Sequence, residues 1–366
     1  MEDISIDHRD LVHLARLALT GTQKDTQMFV RRLINRYRLP VPELSDQLGS
    51  LLRKSAEKNP ESPLRRAAVE TMPVDLDSRL QLARTEDPVQ LDTVPIWQGV
   101  VQTQLTQIIV ERRREADLLA AGLHATKSAL FTGAPGVGKT LAAKWIAHEL
   151  DRPLVVLDLA AVMSSFLGRT GNNVRNVIDY AKATPCVFLI DEFDAIAKRR
   201  DDQIEVGELK RLVTVLLQSI DEWPPSGLLI AATNHPDLLD PAVWRRFEVT
   251  VSFPMPDLEH MKSAVQLQIG YDADASQWTD VVARALNGLS FAEAEREMVR
   301  ARRQAVLEGI PLVAAVQSIV QERARTLDRE TRTKLACSIV DLGISQHKAH
   351  EWTGVSRDTI RKGVQQ

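Results

Sequence analysis

The chain has 366 residues, 44% of them hydrophobic and 26% charged, with a net charge of −3. That length exceeds one ordinary core and predicts two to four structural units, at roughly 150 residues per domain. No apolar run approaches the roughly 20 residues needed to cross a bilayer, so membrane insertion is excluded, and the near-neutral charge gives no global case for nucleic acid. Cys186 and Cys337 stand far apart without metal-ligand spacing, which argues against a disulfide framework or a structural zinc. The acidic start Met1-Glu2-Asp3, with no apolar segment after it, predicts a cytoplasmic protein without a secretory signal.

In chain order, Leu11, Leu14, Ala15 and Ala18, then Phe29, Val30, Leu33, Ile34 and Tyr37, recur at helical spacing and predict a helical N-domain over residues 1–58. Prolines 60, 63, 73, 88 and 95 among charges predict a linker over 59–95. From 96 to 255, short apolar runs (Ala129–Phe131, Leu154–Leu157, Val187–Ile190, Leu228–Ala232) alternate with helical stretches. That alternation predicts an α/β domain, a parallel sheet with helices on both faces. Residues 256–325 read as a helical lid, and 329–366 as a helix-turn-helix-like segment.

The chemistry concentrates after the first of these strands. Gly133, Ala134, Pro135, Gly136, Val137, Gly138, Lys139, Thr140 and Leu141 fit a P-loop between an apolar strand and an amphipathic helix. Glycines let the backbone wrap around phosphates, the helix N-terminus and Lys139 supply positive charge, and Thr140 can ligate magnesium. The site therefore predicts ATP and Mg²⁺. The run Cys186–Ile190 ends in Asp191 and Glu192, which puts two carboxylates at the carboxyl edge of a parallel sheet beside the phosphates. Asp191 is expected to hold magnesium through water, and Glu192 to deprotonate the attacking water.

Three further segments carry a family resemblance: Asp191-Glu-Phe-Asp194, Ala231-Ala-Thr-Asn234-His-Pro, and Asp240-Pro-Ala-Val-Trp-Arg245-Arg246-Phe247. Over about residues 96–310 the chain resembles the AAA ATPases, and its paired arginines resemble those of members such as katanin and spastin. The resemblance implies that Asn234 contacts the γ-phosphate and water. It also implies that Arg245 and Arg246 are arginine fingers reaching an adjacent subunit's ATP, and that the chain forms a ring, a hexamer with ATP. The alternative for the two arginines is a solvated pair ending a helix. Trp244 and Phe247 read as packing residues. Leu289-Ser290-Phe291-Ala292-Glu293 resembles the lid segment near adenine in the family, but Phe291 stands where glycine is usual, and no sensor 2 arginine is assigned.

Two features bear on what ATP drives. Phe166 and Leu167, followed by Gly168, stand where AAA remodellers carry an aromatic pore loop that grips extended polypeptide; the alternative is that both are core residues. A second candidate loop runs from Arg199 to Gln203. The layout also resembles bacterial AAA ATPases encoded beside subtilisin-like proteases, which offers such a protease as a partner. In the C-terminal segment, Gly354 reads as the tight turn of a helix-turn-helix, Val355 and Ile360 as inward residues, and Ser356, Arg357, Thr359 and Arg361 as facing DNA. His350 departs from that motif, which places a small residue there. Residues 329–366 hold seven Lys or Arg against four Asp or Glu. Two functions remain open: an ATP-driven protein remodeller, and a DNA-associated ATPase of a mobile element or defence system.

Overall fold

The computed structural model describes residues 82–91, 93–159, 170–194 and 206–364, with Gln47 in a helix ahead of them. The chain divides into Met1–Thr71 and Met72–Gln366, and all that follows concerns the second unit. The expected N-domain, the Phe166–Leu167 loop and the Arg199–Gln203 loop lie outside the described residues.

Six strands form one sheet: β1 (Ala83–Glu86), β2 (Ser128–Gly133), β3 (Leu154–Leu157), β4 (Val187–Ile190), β5 (Leu228–Thr233) and β6 (Val249–Phe253), in the order β1-β3-β4-β5-β2-β6. All neighbours are parallel except β1 with β3. The central strands are apolar because parallel strands are covered on both faces. Their side chains alternate between two cores. Ala129, Phe131, Leu189, Ile230 and Ala232 pack with Val101, Leu105 and Ile108 of helix α1 (Gly99–Arg113) and Ala142, Ala143 and Ile146 of α3 (Lys139–Glu149); the short α2 (Glu115–Ala120) lies between these helices in sequence. Leu130, Phe188, Ile190, Leu229 and Ala231 face the other way, onto Val174, Val177 and Ile178 of α4 (Thr170–Ala183) and Leu216 and Ile220 of α5 (Val206–Asp221). This period-two division commits each strand to one register. Buried Arg112, at the end of α1, donates to the carbonyls of Thr126, Pro225 and Gly227, which ties the turns that lead into β2 and β5.

β1 corrects the expected linker. Residues 83–86 fall within 59–95, yet they pair antiparallel with β3, from Ala83 opposite Leu157 to Glu86 opposite Leu154. A four-residue edge strand reading Ala-Arg-Thr-Glu, half exposed, carries no apolar signature, and charge at an edge blocks further pairing.

A four-residue helix, α6 (Pro241–Trp244), precedes β6, and every later element is helical: α7 (Leu258–Ile269), α8 (Ala273–Ser276), α9 (Thr279–Ala285), α10 (Phe291–Glu308) and α11 (Leu312–Ala324), then α12 (Arg329–Asp341), α13 (Gln346–Thr353) and α14 (Arg357–Val364). Caps set their starts. Asp257, Asp272 and Asp328 accept backbone N–H groups, and Ser290 with Glu293 forms a capping box at α10. The lid and the C-terminal segment, expected as separate units, share one core. Leu335, Ile339, Ala349, Val355 and Ile360 are buried with Val282, Met298, Val316 and Val320, and Trp278 packs on Trp352 at 5.9 Å.

Candidate functional site

The carboxyl ends of β2, β4 and β5 lie side by side, the edge of a parallel sheet where ligands bind. β2 turns out of the sheet at Gly133, where a Cβ would stand 2.3 Å from the Phe253 carbonyl oxygen, so only glycine fits beside β6. At Gly136 (φ +77°) a Cβ would stand 2.7 Å from Ser290 Oγ and 2.8 Å from the Ala292 methyl. The loop apex is thus seated on the start of α10, and the Ala292 N–H donates to the Gly136 carbonyl at 3.1 Å. Val137 is buried, and α3 begins at Lys139 with its first N–H groups facing the loop.

Four sequence-predicted residues, Lys139, Thr140, Asp191 and Asn234, meet at the loop. Lys139 Nζ donates to the carbonyls of Gly133 (2.7 Å) and Ala134 (2.8 Å) and to Asn234 Oδ1 (2.8 Å). Burial lowers the lysine's pKa, while the charges of Asp191 and Asp194 oppose that shift. Thr140 Oγ1 donates to Asp191 Oδ2 at 2.7 Å, and the other Asp191 oxygen accepts the Glu192 N–H at 2.9 Å. Glu192, exposed, has φ +52°, a left-handed conformation that costs of order 1 kcal/mol for a residue other than glycine. Among the described residues no cluster of three or more His, Cys, Asp or Glu could hold a metal. A hydroxyl beside one carboxylate is nonetheless a set of hard oxygens suited to Mg²⁺, which takes few protein ligands and completes its shell with water and phosphate.

Asp194 is a site residue whose role the sequence did not disclose. It is buried, and its Oδ1 accepts from Thr233 Oγ1 (3.0 Å) and the Asn234 N–H (3.1 Å), while the Phe193 N–H donates to the Ala232 carbonyl (2.8 Å). These bonds fasten the end of β4 to that of β5 and fix where Asn234 points. Its spacing, three residues after Asp191, was the available signal.

Beside the P-loop lies a cavity of about 380 Å³ lined by Trp97, Leu141, Val265, Phe291, Met298 and Arg302. Phe291 therefore forms a wall at the family's glycine position. Trp97, also missed, packs on Trp145 at 5.0 Å, and its buried Nε1 has no hydrogen-bond partner among the described residues.

Arg245 and Arg246 follow α6, whose N-cap Asp240 accepts the Ala242 N–H. The structure separates the pair. Arg246 forms an ion pair with Asp221 of α5 and donates to the Leu217 carbonyl at 3.4 Å, whereas Arg245 is exposed, with no partner among the described residues. Among these residues neither arginine is hydrogen-bonded to Lys139, Thr140, Asp191 or Asn234. Phe247 is buried and meets Phe193 edge-on at 6.3 Å, so the arginine loop rests against the strand end that carries Glu192.

Comparison with known proteins agrees with this geometry. Residues 129–255 match the family model described as ATPase family associated with various cellular activities (AAA). The chain is 39% identical over 209 residues, 56% of its length, to an AAA family ATPase of Sinorhizobium fredii, of which the match covers 62%. It is 34% identical over 202 residues to a proteasome-activating nucleotidase of Methanococcus maripaludis, covering 52% of the chain and 49% of the relative. It is 30% identical over 237 residues to the ATP-dependent zinc metalloprotease YME1L1 of Mus musculus, covering 62% of the chain and 33% of the relative. The match thus covers less than two thirds of each of these relatives, from 33% to 62% of their length. Its central domain is an AAA-type P-loop ATPase domain, and hence a nucleotide-binding one. No helix among the described residues is long and apolar enough to cross a membrane.

Proposed function

We propose that the chain hydrolyses ATP in a ring of identical subunits and uses the cycle to remodel or unfold a protein client. The observation that carries the hydrolytic reading is the convergence of Lys139, Thr140, Asp191 and Asn234, from three strand ends, in hydrogen bonds of 2.7–2.8 Å. Adenine occupies the cavity beside Trp97, Leu141 and Phe291, and the phosphates follow the P-loop N–H groups to the start of α3. Lys139 exchanges its carbonyl and Asn234 acceptors for β- and γ-phosphate oxygens, and the phosphate charge keeps its ammonium protonated despite burial. Thr140 and Asp191 hold Mg²⁺, Asp191 through water, and the ion supplies neutralisation of phosphate charge.

Glu192 accepts a proton from the attacking water as its oxygen bonds to the γ-phosphorus and the bond to the ADP oxygen breaks. Asn234, aimed by Asp194, orients that water and the γ-phosphate. A neighbouring subunit completes the site. Arg245, exposed and unpaired among the described residues, supplies the guanidinium for transition-state charge, and Arg246, held by Asp221, fixes the loop that presents it. A head-to-tail ring, a hexamer in the resemblance drawn from the sequence, satisfies that arrangement.

The protein client is supported by the names of two relatives, one activating a proteasome and one an ATP-dependent protease, and by Phe166 and Leu167 in the sequence. A subtilisin-like protease is the partner to try first. Phosphate release by the full-length protein should rise when an unfolded polypeptide is added, and Phe166→Ala should remove the increase while leaving the basal rate. Basal hydrolysis without stimulation by any polypeptide would refute the client; absence of hydrolysis in magnesium and ATP would refute the reaction.

A further inference from the structure

The C-terminal helices are not used by the nucleotide site, and their geometry is specific. α13 and α14 have eight residues each, joined by Gly354, Val355 and Ser356. Gly354 takes φ +70° and closes α13 with its N–H on the His350 carbonyl, which turns the chain sharply enough for α14 to cross back. Ala349, Thr353, Val355 and Ile360 point inward, and α12 packs behind both helices. Gly363 meets α12 so closely that a Cβ would stand 2.6 Å from Cys337 Sγ. This is a three-helix helix-turn-helix with its second helix on the outside. His350, the sequence's departure from the motif, does not disturb the turn, because its Nδ1 lies 2.7 Å from the Val355 carbonyl oxygen and ties the turn to α13.

The outer face is basic. Residues 346–364 carry Lys348, Arg357, Arg361 and Lys362 against Glu351 and Asp358, and all six are exposed. Arg357 opens α14 and Arg361 follows one turn later on the same side, while Asp358 stands one turn before Lys362. Two residues expected to face DNA have another use. Ser356 Oγ accepts the Thr359 N–H at 3.3 Å, the two hydroxyls pair at 2.8 Å, and Thr359 is half-buried, so they cap α14. The remaining contacts fall to Arg357, Arg361 and Lys362. In a chain of net charge −3 this positive face is a local feature, not part of an overall surplus of positive charge.

We propose that the three-helix unit docks α14 in the major groove of duplex DNA, with Arg357 at the base edges and Arg361 and Lys362 on the flanking phosphates. A helix of this diameter fits that groove, and Arg is the side chain that reads guanine bidentately. The proposal stands apart from ATP hydrolysis, since none of these residues belongs to the nucleotide site. Because α12 to α14 share the lid's core, the DNA-binding surface is carried on the lid itself, with no intervening linker.

The test is fluorescence anisotropy of a labelled mixed-sequence duplex titrated with the full-length protein as salt is raised. Binding should weaken with salt, with a logarithmic slope of about −0.9 per phosphate contact. Arg361→Ala and Lys362→Ala should each weaken binding about tenfold and reduce that slope by about one. Arg303→Ala, which removes an exposed charge from α10, should leave binding unchanged, and unaltered circular dichroism will show that all variants are folded. Single-stranded competitor should displace the duplex poorly. No binding at low salt, equal binding of single strands, or equal losses from Arg303→Ala and Arg361→Ala would each overturn the proposal.

Discussion

Lys139 of the P-loop and Asn234 at the end of β5 are joined by a hydrogen bond of 2.8 Å across 95 residues of sequence. All three lysine donors have acceptors, so nucleotide phosphates must exchange with these bonds. Lys139→Ala should therefore abolish ATP binding measured by calorimetry, because it removes the positive charge that meets the phosphates. Asn234→Ala should keep binding and lose hydrolysis by about 10²-fold, the usual cost of one oriented polar group at the reacting oxygens. Tight binding by the lysine variant would refute the P-loop assignment.

Asp194 acts through Asn234. In Asp194→Ala two donors, Thr233 Oγ1 and the Asn234 N–H, lose their acceptor, and the asparagine is no longer aimed. Steady-state kinetics should show kcat falling by about 10²-fold, as displacements near 1 Å can cause, with KM little changed. Asp194→Asn keeps a carbonyl acceptor and should restore much of the rate. Equal losses of kcat in both variants would mean that the charge, not the position, matters.

Glu192→Gln should bind ATP normally and hydrolyse it about 10²-fold or more slowly, the range for loss of a general base. Phosphate release in single turnover separates this from slow product exit. Unchanged turnover would show that another group activates the water.

The contact between Gly136 and α10 links loop and lid. Gly136→Ala, with its Cβ 2.7 Å from Ser290 Oγ and a left-handed φ, should push the apex off α10 and weaken nucleotide binding. Ser290→Ala removes the N-cap and should cost about 1 kcal/mol in thermal unfolding. The Glu293 carboxyl of the same box is held below the usual carboxylate range by the Ser290 backbone N–H and then by its hydroxyl. A depressed folded pKa stabilises above the unfolded value and fades as pH falls through the folded one. The Ser290→Ala penalty should therefore be full at neutral pH and shrink under acid.

What could be read from sequence is what local chemistry imposes. Gly133 and Gly136 sit where no Cβ fits, so the P-loop is written in consecutive residues, and Asp191 ends an apolar run at a sheet edge. Relationships between distant residues left no such trace. Nothing local ties Arg246 to Asp221, and that ion pair is what distinguishes the surroundings of the two arginines. β1 was invisible because a short edge strand need not be apolar, and Trp97 because a cavity wall reads like any core residue. The fusion of the C-terminal helices to the lid was hidden because helices packed on helices look alike wherever the domain boundary falls.

Completion of each ATP site by Arg245 of the next subunit is tested most directly by mixing two inactive proteins. Arg245→Ala keeps an intact P-loop, Lys139→Ala keeps an intact arginine, and a ring containing both holds some sites with one of each. Phosphate release should be near background for either protein alone and should recover on mixing in ATP and magnesium, with light scattering confirming that both enter one assembly. No recovery at any ratio from co-assembled subunits would show that Arg245 does not act across the interface, and would contradict the composite site.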